Sequence, residues 1–339
     1  MTSAAPGLPL LEVKGLSVDI RTPIGDLQAV RDISFEVARG ETVCLVGESG
    51  CGKSITSLAV MGLLPRAARS RAARLAFDGI DLAKLGCSAR NRLRGSRMAM
   101  IFQEPMTALN PAWTIGEQLV EVHRRHVGQG RAAAKARAID LLGKVGIASP
   151  AERLGQYPHQ LSGGLRQRAM IAMALMCEPE LLIADEPTTA LDVTIQAQIL
   201  RLLADLRREL GIALLLITHD LGVVARIADR VNVMYAGAIV ESATAARLFA
   251  DPRHPYTRGL LACLPRPGVR RAGATRAGER LGTIPGVVPS LIGGIAGCAF
   301  RSRCPVALPA CAIAVPAREA ATGHRFACVH ETVPEGVPA

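Results

Sequence analysis

Residues 47–54 read Gly47-Glu48-Ser49-Gly50-Cys51-Gly52-Lys53-Ser54. The order fits G-x-x-x-x-G-K-S/T, the phosphate-loop pattern called Walker A. Before it, Thr42-Val43-Cys44-Leu45-Val46 is nearly all apolar and predicts a buried strand. After it, Ile55-Thr56-Ser57-Leu58-Ala59-Val60-Met61 can run as a helix. Strand, glycine loop and helix in that order turn a pattern match into a mechanism. Gly47, Gly50 and Gly52 allow backbone conformations that a Cβ would forbid. The N–H groups of Glu48, Ser49, Cys51 and Ile55 can then join those of the glycines around phosphate oxygens. The helix starting near Lys53 adds the positive end of its dipole. Lys53 would place a point charge on the β- and γ-phosphates, and the Ser54 hydroxyl would ligate Mg²⁺. The plain alternative is a glycine-rich turn that binds nothing; the flanking elements argue against it.

The chain has 339 residues, enough for two domains or one large domain with an extension. Apolar residues make up 49% and aromatics only 3%, so the core is aliphatic. Net charge is 40 − 29 = +11. That fits a nucleic-acid or anionic-membrane partner, or simply solvated arginines. A local cluster runs Arg66, Arg69, Arg71, Arg74, Arg90, Arg92, Arg94 and Arg97, with no aromatics interleaved, so no stacking platform for single strands is indicated. No basic, apolar leader opens the chain. No run of about 18 apolar residues exists, so no transmembrane helix is expected. A cytosolic chain, or one attached to a membrane through a partner, would not use its nine cysteines as a disulfide framework. Cysteine clusters are therefore metal candidates.

Residues 11–46 alternate in short apolar runs punctuated by Gly15, by Pro23-Ile24-Gly25-Asp26 and by Arg39-Gly40, predicting strands and hairpin turns. Leu75–Gly79 and Met98–Phe102 read likewise, and Gln103 follows the second. From 115 to 176 the period becomes helical, over Ile115–Val127, Ala132–Val145 and the stretch through Met176. Leu181–Ala184 and Ala213–Ile217 return to buried strands, with a helix over Val193–Leu210 between them, ended by Gly211. Strands alternating with helices predict a parallel sheet covered on both faces. The helical block at about 104–177 reads as an insertion between two of its strands. After about 251, prolines and glycines from Pro265 to Pro289 make a linker-like stretch that ends in a cysteine-bearing tail.

A phosphate loop needs a second site for Mg²⁺, an acidic residue ending a neighbouring apolar strand. Asp185 fits and would hold the ion through water. Glu186, one residue on, can polarise a water aligned on the γ-phosphorus. The other reading is a strand end before a turn.

Leu161-Ser162-Gly163-Gly164-Leu165-Arg166-Gln167-Arg168 resembles the LSGGQ signature of ABC ATPases, with Leu165 where the consensus has Gln. The other stations follow in order: Gln103 matches the Q-loop, Ala190-Leu191-Asp192 the D-loop and His219 the switch histidine. The resemblance covers residues of about 11–250. It implies an α/β fold: a P-loop NTPase core of RecA-like type, an N-terminal antiparallel β subdomain and an inserted α-helical subdomain. It also implies ATP and Mg²⁺, the ion held by Ser54, Asp185 and Gln103. Catalysis would fall to Glu186, His219 and Gln103. Ser162, Gly163, Gly164 and Asp192 would meet the nucleotide of a second ATPase subunit, a copy or a related chain, in a head-to-tail sandwich. The family's A-loop aromatic is missing between Val18 and Val30, where Ile24 or Leu27 would pack on the base.

His254-Pro255-Tyr256-Thr257 and the residues to Leu264 resemble the HPYT motif of oligopeptide and dipeptide importers. Cys298, Cys304, Cys311 and Cys328 resemble that subfamily's C-terminal extension, which is associated with a 4Fe–4S cluster. Read from the residues alone, four thiolates suit an iron–sulfur cluster or zinc, or remain isolated buried thiols. Paired zinc knuckles are missing. Cys44, Cys51, Cys87, Cys177 and Cys263 read as ordinary thiols. The domains expected are 1–250, the nucleotide-binding domain, and 251–339, the extension. The function implied is an ATP-hydrolysing subunit powering peptide import, at the cytoplasmic face of the membrane. Its partners would be two transmembrane permease subunits and an external solute-binding protein, with no nucleic acid. Nickel chelates or glutathione-like solutes are alternative cargoes. A soluble ABC ATPase acting on nucleic acid or ribosomes would usually carry two cassettes or a coiled coil, and a non-catalytic subunit would lose Lys53, Glu186 or His219.

Overall fold

The computed structural model describes residues 8–103, 108–188, 191–264, 284–313, 315–321 and 323–332. Two sheets carry the strands. In the first, β1 (Leu11–Thr22) pairs antiparallel with β2 (Gly25–Val37). The two short runs expected before Thr22 are one strand. Gly15 does not end it; the register shifts between Val13 and Leu16, and Gly15 sits at φ +61° in that irregularity. The chain then enters β3 (Thr42–Val46), which belongs to the second sheet. It returns to the first through β4 (Ala68–Arg71), β5 (Arg74–Phe77) and β6 (Ile80–Asp81), giving the order β2-β1-β5-β6 with β4 beside β1. Asp78 and Gly79, both at positive φ, make the tight turn into β6.

Several members of the arginine cluster have intramolecular partners. Arg71 pairs with Asp19, Arg74 with Glu12, and Arg97 with Asp78 and Glu180. Arg90 donates to the Leu82 carbonyl and Arg94 to those of Met61 and Gly62.

The second sheet runs β12-β13-β11-β10-β3-β9-β8-β7. Its middle is parallel: β7 (Met98–Ile101), β8 (Leu181–Asp185), β9 (Ala213–Thr218), β3 and β10 (Arg230–Tyr235). These strands are apolar almost throughout because both faces are covered. Val43, Leu45, Leu181, Ile183, Leu215 and Ile217 face a core shared with the antiparallel sheet and the helix Lys53–Met61. Cys44, Val46, Leu182, Ala184, Leu214 and Leu216 face the other core, filled by the helices Ile115–Val127, Arg131–Lys144 and Gly163–Leu175. β7 and β8 are neighbours in the sheet, and these helices lie between them in the chain. Helix Ile115–Val127 starts on a capping box, Thr114 with Glu117. Helix Val193–Leu210 ends at Gly211, φ +65°.

The tail is better anchored than its composition indicates. β12 (Ala317–Ala321) and β13 (His324–Ala327) form a hairpin that extends the second sheet through β11 (Ala238–Thr244). Leu291, Phe300 and Phe326 are buried. Pro265 to Gly282, read as a linker, lie outside the described residues, whereas Pro285, Gly286 and Pro289 lie within them.

Glu241 on β11 is fully buried and gathers the junction. Its carboxyl group accepts the N–H of Arg253 at 2.7 Å, the N–H of His254 at 2.8 Å and Nε2–H of His324 at 2.8 Å. Glu241→Ala would strand these donors. It is expected to destabilise the protein by about 3 kcal/mol, the order for one partner removed from a buried polar network. An unchanged midpoint in thermal unfolding would count against this role.

Candidate functional site

The parallel strands end side by side, and their C-terminal ends carry the residues singled out from the sequence. Val46 leads into the phosphate loop, Ile101 toward Gln103, Asp185 into Glu186, and Thr218 into His219. Gly47 and Gly52 are dictated by close approach. A Cβ on Gly47 would lie 2.1 Å from the Met234 carbonyl oxygen, and one on Gly52 would lie 2.3 Å from that of Ala29. Gly50, at φ +79°, is required by its backbone alone. Glu48, Ser49 and Cys51 complete the loop, and Ile55 sits in the first turn of the following helix.

Lys53 is buried, and its ammonium donates to the carbonyls of Gly47 at 2.8 Å and Glu48 at 2.9 Å. Ser54 Oγ donates to Asp185 Oδ1 at 2.9 Å, and Ser57 Oγ to Oδ2 at 3.4 Å. Burial holds the Asp185 carboxyl above its ordinary range, against the pull of the Ser54 hydroxyl. A buried carboxyl beside a hydroxyl is a hard oxygen pair suited to Mg²⁺. Gln103 stands elsewhere, its amide 3.4 Å from Glu186 Oε2.

Glu186 is the hub. His219 Nδ1 lies 3.4 Å from the same oxygen, and Lys53 Nζ lies 3.9 Å from Oε1. The hydrogen bond from Glu186 raises the His219 pKa despite partial burial. Glu186 also sits at φ +43°, a left-handed conformation that costs a non-glycine residue about 1–3 kcal/mol. Its N–H is held by the Ile217 carbonyl at 2.9 Å. Chemically, the group can hold a triphosphate's terminal phosphate with Lys53 and His219 and present Glu186 to a water beside it.

The signature stands on another surface. Ser162 caps helix Gly163–Leu175 by accepting the N–H of Leu165 at 3.4 Å, so the helix starts at Gly163. Gly163 lies against Leu191 and Gly164 against Ile195. Asp192 caps helix Val193–Leu210, accepting from Thr194 and Ile195. Ala190 of the D-loop motif lies outside the described residues. Ile24 is exposed at its turn, while Leu27 bridges to Ile292 of the tail.

Cys298, Cys304, Cys311 and Cys328 line one cavity of about 10 Å³, with His254 and Phe300 beside them. Burial pushes the thiols of Cys298, Cys304 and Cys328 up, Cys304 to about 11. Among the described residues no three His, Cys, Asp or Glu side chains are arranged to hold a metal ion.

Two contacts escaped the sequence reading. Tyr256 of the HPYT motif accepts the N–H of Glu48 through its hydroxyl at 2.9 Å. Arg303, between two of the tail cysteines, pairs with the Glu48 carboxylate at 2.8 Å. No local pattern marks either contact, since each spans more than 200 positions, 208 and 255 respectively.

A family profile described as ABC transporter matches residues 30–189, and one described as the C-terminal region of oligopeptide/dipeptide transporters matches residues 240–311. A Brucella melitensis chain named as a peptide import ATP-binding protein is 54% identical over 314 residues, 91% of this chain and 93% of its own. This chain belongs to the ABC transporter ATP-binding family. The dipeptide transport ATP-binding protein DppD of Escherichia coli is 50% identical to this ABC ATPase over 310 residues, again 91% and 93% of the two chains. The dimeric structure of a bacterial ABC transporter cassette matches it with TM-score 0.62 at 25% identity, over 69% of this chain and 98% of that one. A Clostridium perfringens cassette, part of the cbiONQ ABC transporter complex, gives TM-score 0.61 at 27% identity, over 71% and 91%.

If Glu186 orients the attacking water in this ABC ATPase, Glu186→Gln keeps its size and removes its charge. Hydrolysis is expected to fall by ~10²–10⁴, the range for a positioned base, with ATP still bound. Phosphate release at the parental rate would remove Glu186 from that role.

Proposed function

We propose that the protein is the ATP-hydrolysing subunit of a membrane importer of peptides. The observation that carries this reading is the meeting of Lys53, Gln103, Glu186 and His219 at one set of strand ends, in a chain whose tail matches the peptide-transporter profile. Residues 1–250 act as the nucleotide-binding domain, with the helical subdomain at about 104–177, and residues 251–339 as the extension. Lys53 and the loop N–H groups bind the phosphates of ATP. Ser54 and Asp185 hold Mg²⁺, with Gln103 completing that shell when nucleotide is bound. Glu186 accepts the proton of the attacking water and His219 holds the γ-phosphate.

Ser162, Gly163 and Gly164 serve a second ATPase subunit. Gly163 is seated against Leu191 and Gly164 against Ile195, and Gly163 opens a helix whose N–H groups can meet an anion. Two subunits would close head to tail over two nucleotides, and hydrolysis would release them. No helix among the described residues is long and apolar enough to cross a membrane; two permease subunits would supply the translocation path. Phe102 and Trp113, both exposed on either side of Gln103 in the chain, supply apolar surface for a permease segment at the cytoplasmic face. An external solute-binding protein would deliver the peptide.

The four tail thiols would hold a 4Fe–4S cluster. The support is their convergence on one cavity with no carboxylate in its lining. Bound there, such a centre would cross-link a segment with little secondary structure of its own.

Two experiments test these readings. Lys53→Ala is expected to weaken nucleotide binding within one subunit, whereas Gly163→Asp leaves that binding nearly intact and blocks ATP-dependent dimers. Equal loss of affinity in both variants would contradict the sandwich. Anaerobically purified protein is expected to carry about four irons and four sulfides per chain, reduced by Cys304→Ser. About one zinc without iron would make it a structural zinc site. Four freely alkylated thiols without metal would end the metal reading.

A further inference from the structure

A phosphate loop that carries a carboxylate has an electrostatic problem. Glu48 lies one residue into the loop, and an ionised carboxylate there repels the triphosphate that Lys53 and the loop N–H groups attract. The structure removes this charge from the loop with one residue of the C-terminal extension. Arg303 Nη1 lies 2.8 Å from Glu48 Oε2. The Arg303 side chain is only 5% exposed, and the rest of its fork is fixed by the tail. Nε donates to the Pro285 carbonyl at 2.9 Å, and Nη2 to that of Ile284 at 3.0 Å. Nη1 also reaches the Tyr235 hydroxyl at 3.4 Å.

The clamp has a second jaw on the backbone of the same residue. The Tyr256 hydroxyl accepts the Glu48 N–H at 2.9 Å. Tyr235, Tyr256 and Phe300 pack against one another, with ring centroids 4.6–5.4 Å apart. The chain has only three tyrosines, so two of them stand beneath this one loop residue. Phe300 also lines the four-cysteine cavity, and Arg303 lies between Cys298 and Cys304.

We propose that Arg303 is a positioning residue of the nucleotide site. It neutralises Glu48 and turns its carboxylate out of the phosphate loop, which makes the extension a working part of ATP binding. The proposal rests on the reading of Gly47–Ser54 as the nucleotide site and adds the tail to it.

The test measures ATP binding and steady-state hydrolysis in the full chain, with folding checked by circular dichroism. Arg303→Gln leaves the carboxylate unpaired beside the phosphates. The Kd and KM for ATP are expected to rise about tenfold, the order of one like-charge contact screened largely by water. At saturating ATP, kcat is expected to stay within about twofold, since Arg303 does not touch the Glu186 and His219 group. The defect should narrow as ionic strength is raised. Adding Glu48→Gln to Arg303→Gln removes the stray charge and is expected to recover most of the affinity, a rescue that lost packing alone would not give. A folded Arg303→Gln protein that binds ATP like the parent overturns the proposal, as does a double variant no better than the single one. If Arg303→Gln does not fold, Arg303→Lys decides: it keeps the charge and should bind within about threefold of the parent, and a tenfold loss in the folded protein overturns the proposal. Failure of the underlying reading looks different, because the parent itself would then bind no ATP, or Lys53→Ala would bind as the parent does.

Discussion

The parallel register of β3, β9, β8 and β7 is the constraint on which the rest of the molecule depends. Val46 lies opposite Thr218, Asp185 opposite Ile217 and Ile101 opposite Ala184. Backbone hydrogen bonds thus align four strand ends in one row, and everything chemical hangs from the residues that follow. In an open parallel sheet, ligands bind beyond the carboxyl ends of the strands. A one-residue slip in any of these pairings would turn its side chains to the opposite face of the sheet, and the apolar faces on both sides forbid that. The helices and the antiparallel sheet mainly keep this register in place, by burying Leu45, Ile183 and Leu215 on one side and Val46, Ala184 and Leu216 on the other.

The alignment concentrates charge where water is scarce. Lys53 and Asp185 are buried, and only 12% of the Glu186 side chain is exposed. Burial penalises the ionised carboxyl of Asp185, which raises its affinity for a proton. The Glu186 backbone adds strain. Its left-handed conformation turns the chain sharply after β8, and the Ile217 carbonyl holds it there. The turn sets the carboxylate beside both Gln103 and His219. Strain of this kind persists only where the surrounding structure over-determines it, and here a central strand and its neighbour do so.

Much of this was legible in the sequence because it is local. The glycine loop, the apolar strand before it and the acidic pair after Ala184 each carry their meaning within a few residues. The helix ends were legible for the same reason, as at Gly211. What was not legible depends on distance or on register. Gly15 looked like a boundary because glycine often is one; only pairing with β2 makes it an irregularity inside a longer strand. The tail was the hardest part. Its anchors, Leu291, Phe300 and Phe326, are too sparse to show a period, and each is buried against a distant segment: Leu291 beside Gln28, Phe300 on Tyr235 and Tyr256, and Phe326 on β13 beside β11.

The same long-range assembly explains where so aliphatic a chain spends its aromatics. Rings fill large irregular spaces and offer a hydroxyl at one end. Tyr235 ends β10, Tyr256 lies in the first turn of the helix Pro255–Ala262 and Phe300 comes from the tail, so three distant segments meet beneath one loop. Two hydroxyls at that point do work that aliphatic side chains could not: one holds a loop N–H and the other meets the guanidinium that holds the loop carboxylate. Apolar packing and polar restraint are therefore supplied by the same side chains. That is why the tail, although far along the chain from the phosphate loop, cannot be removed from the loop's environment without also uncovering Tyr235 at the end of β10.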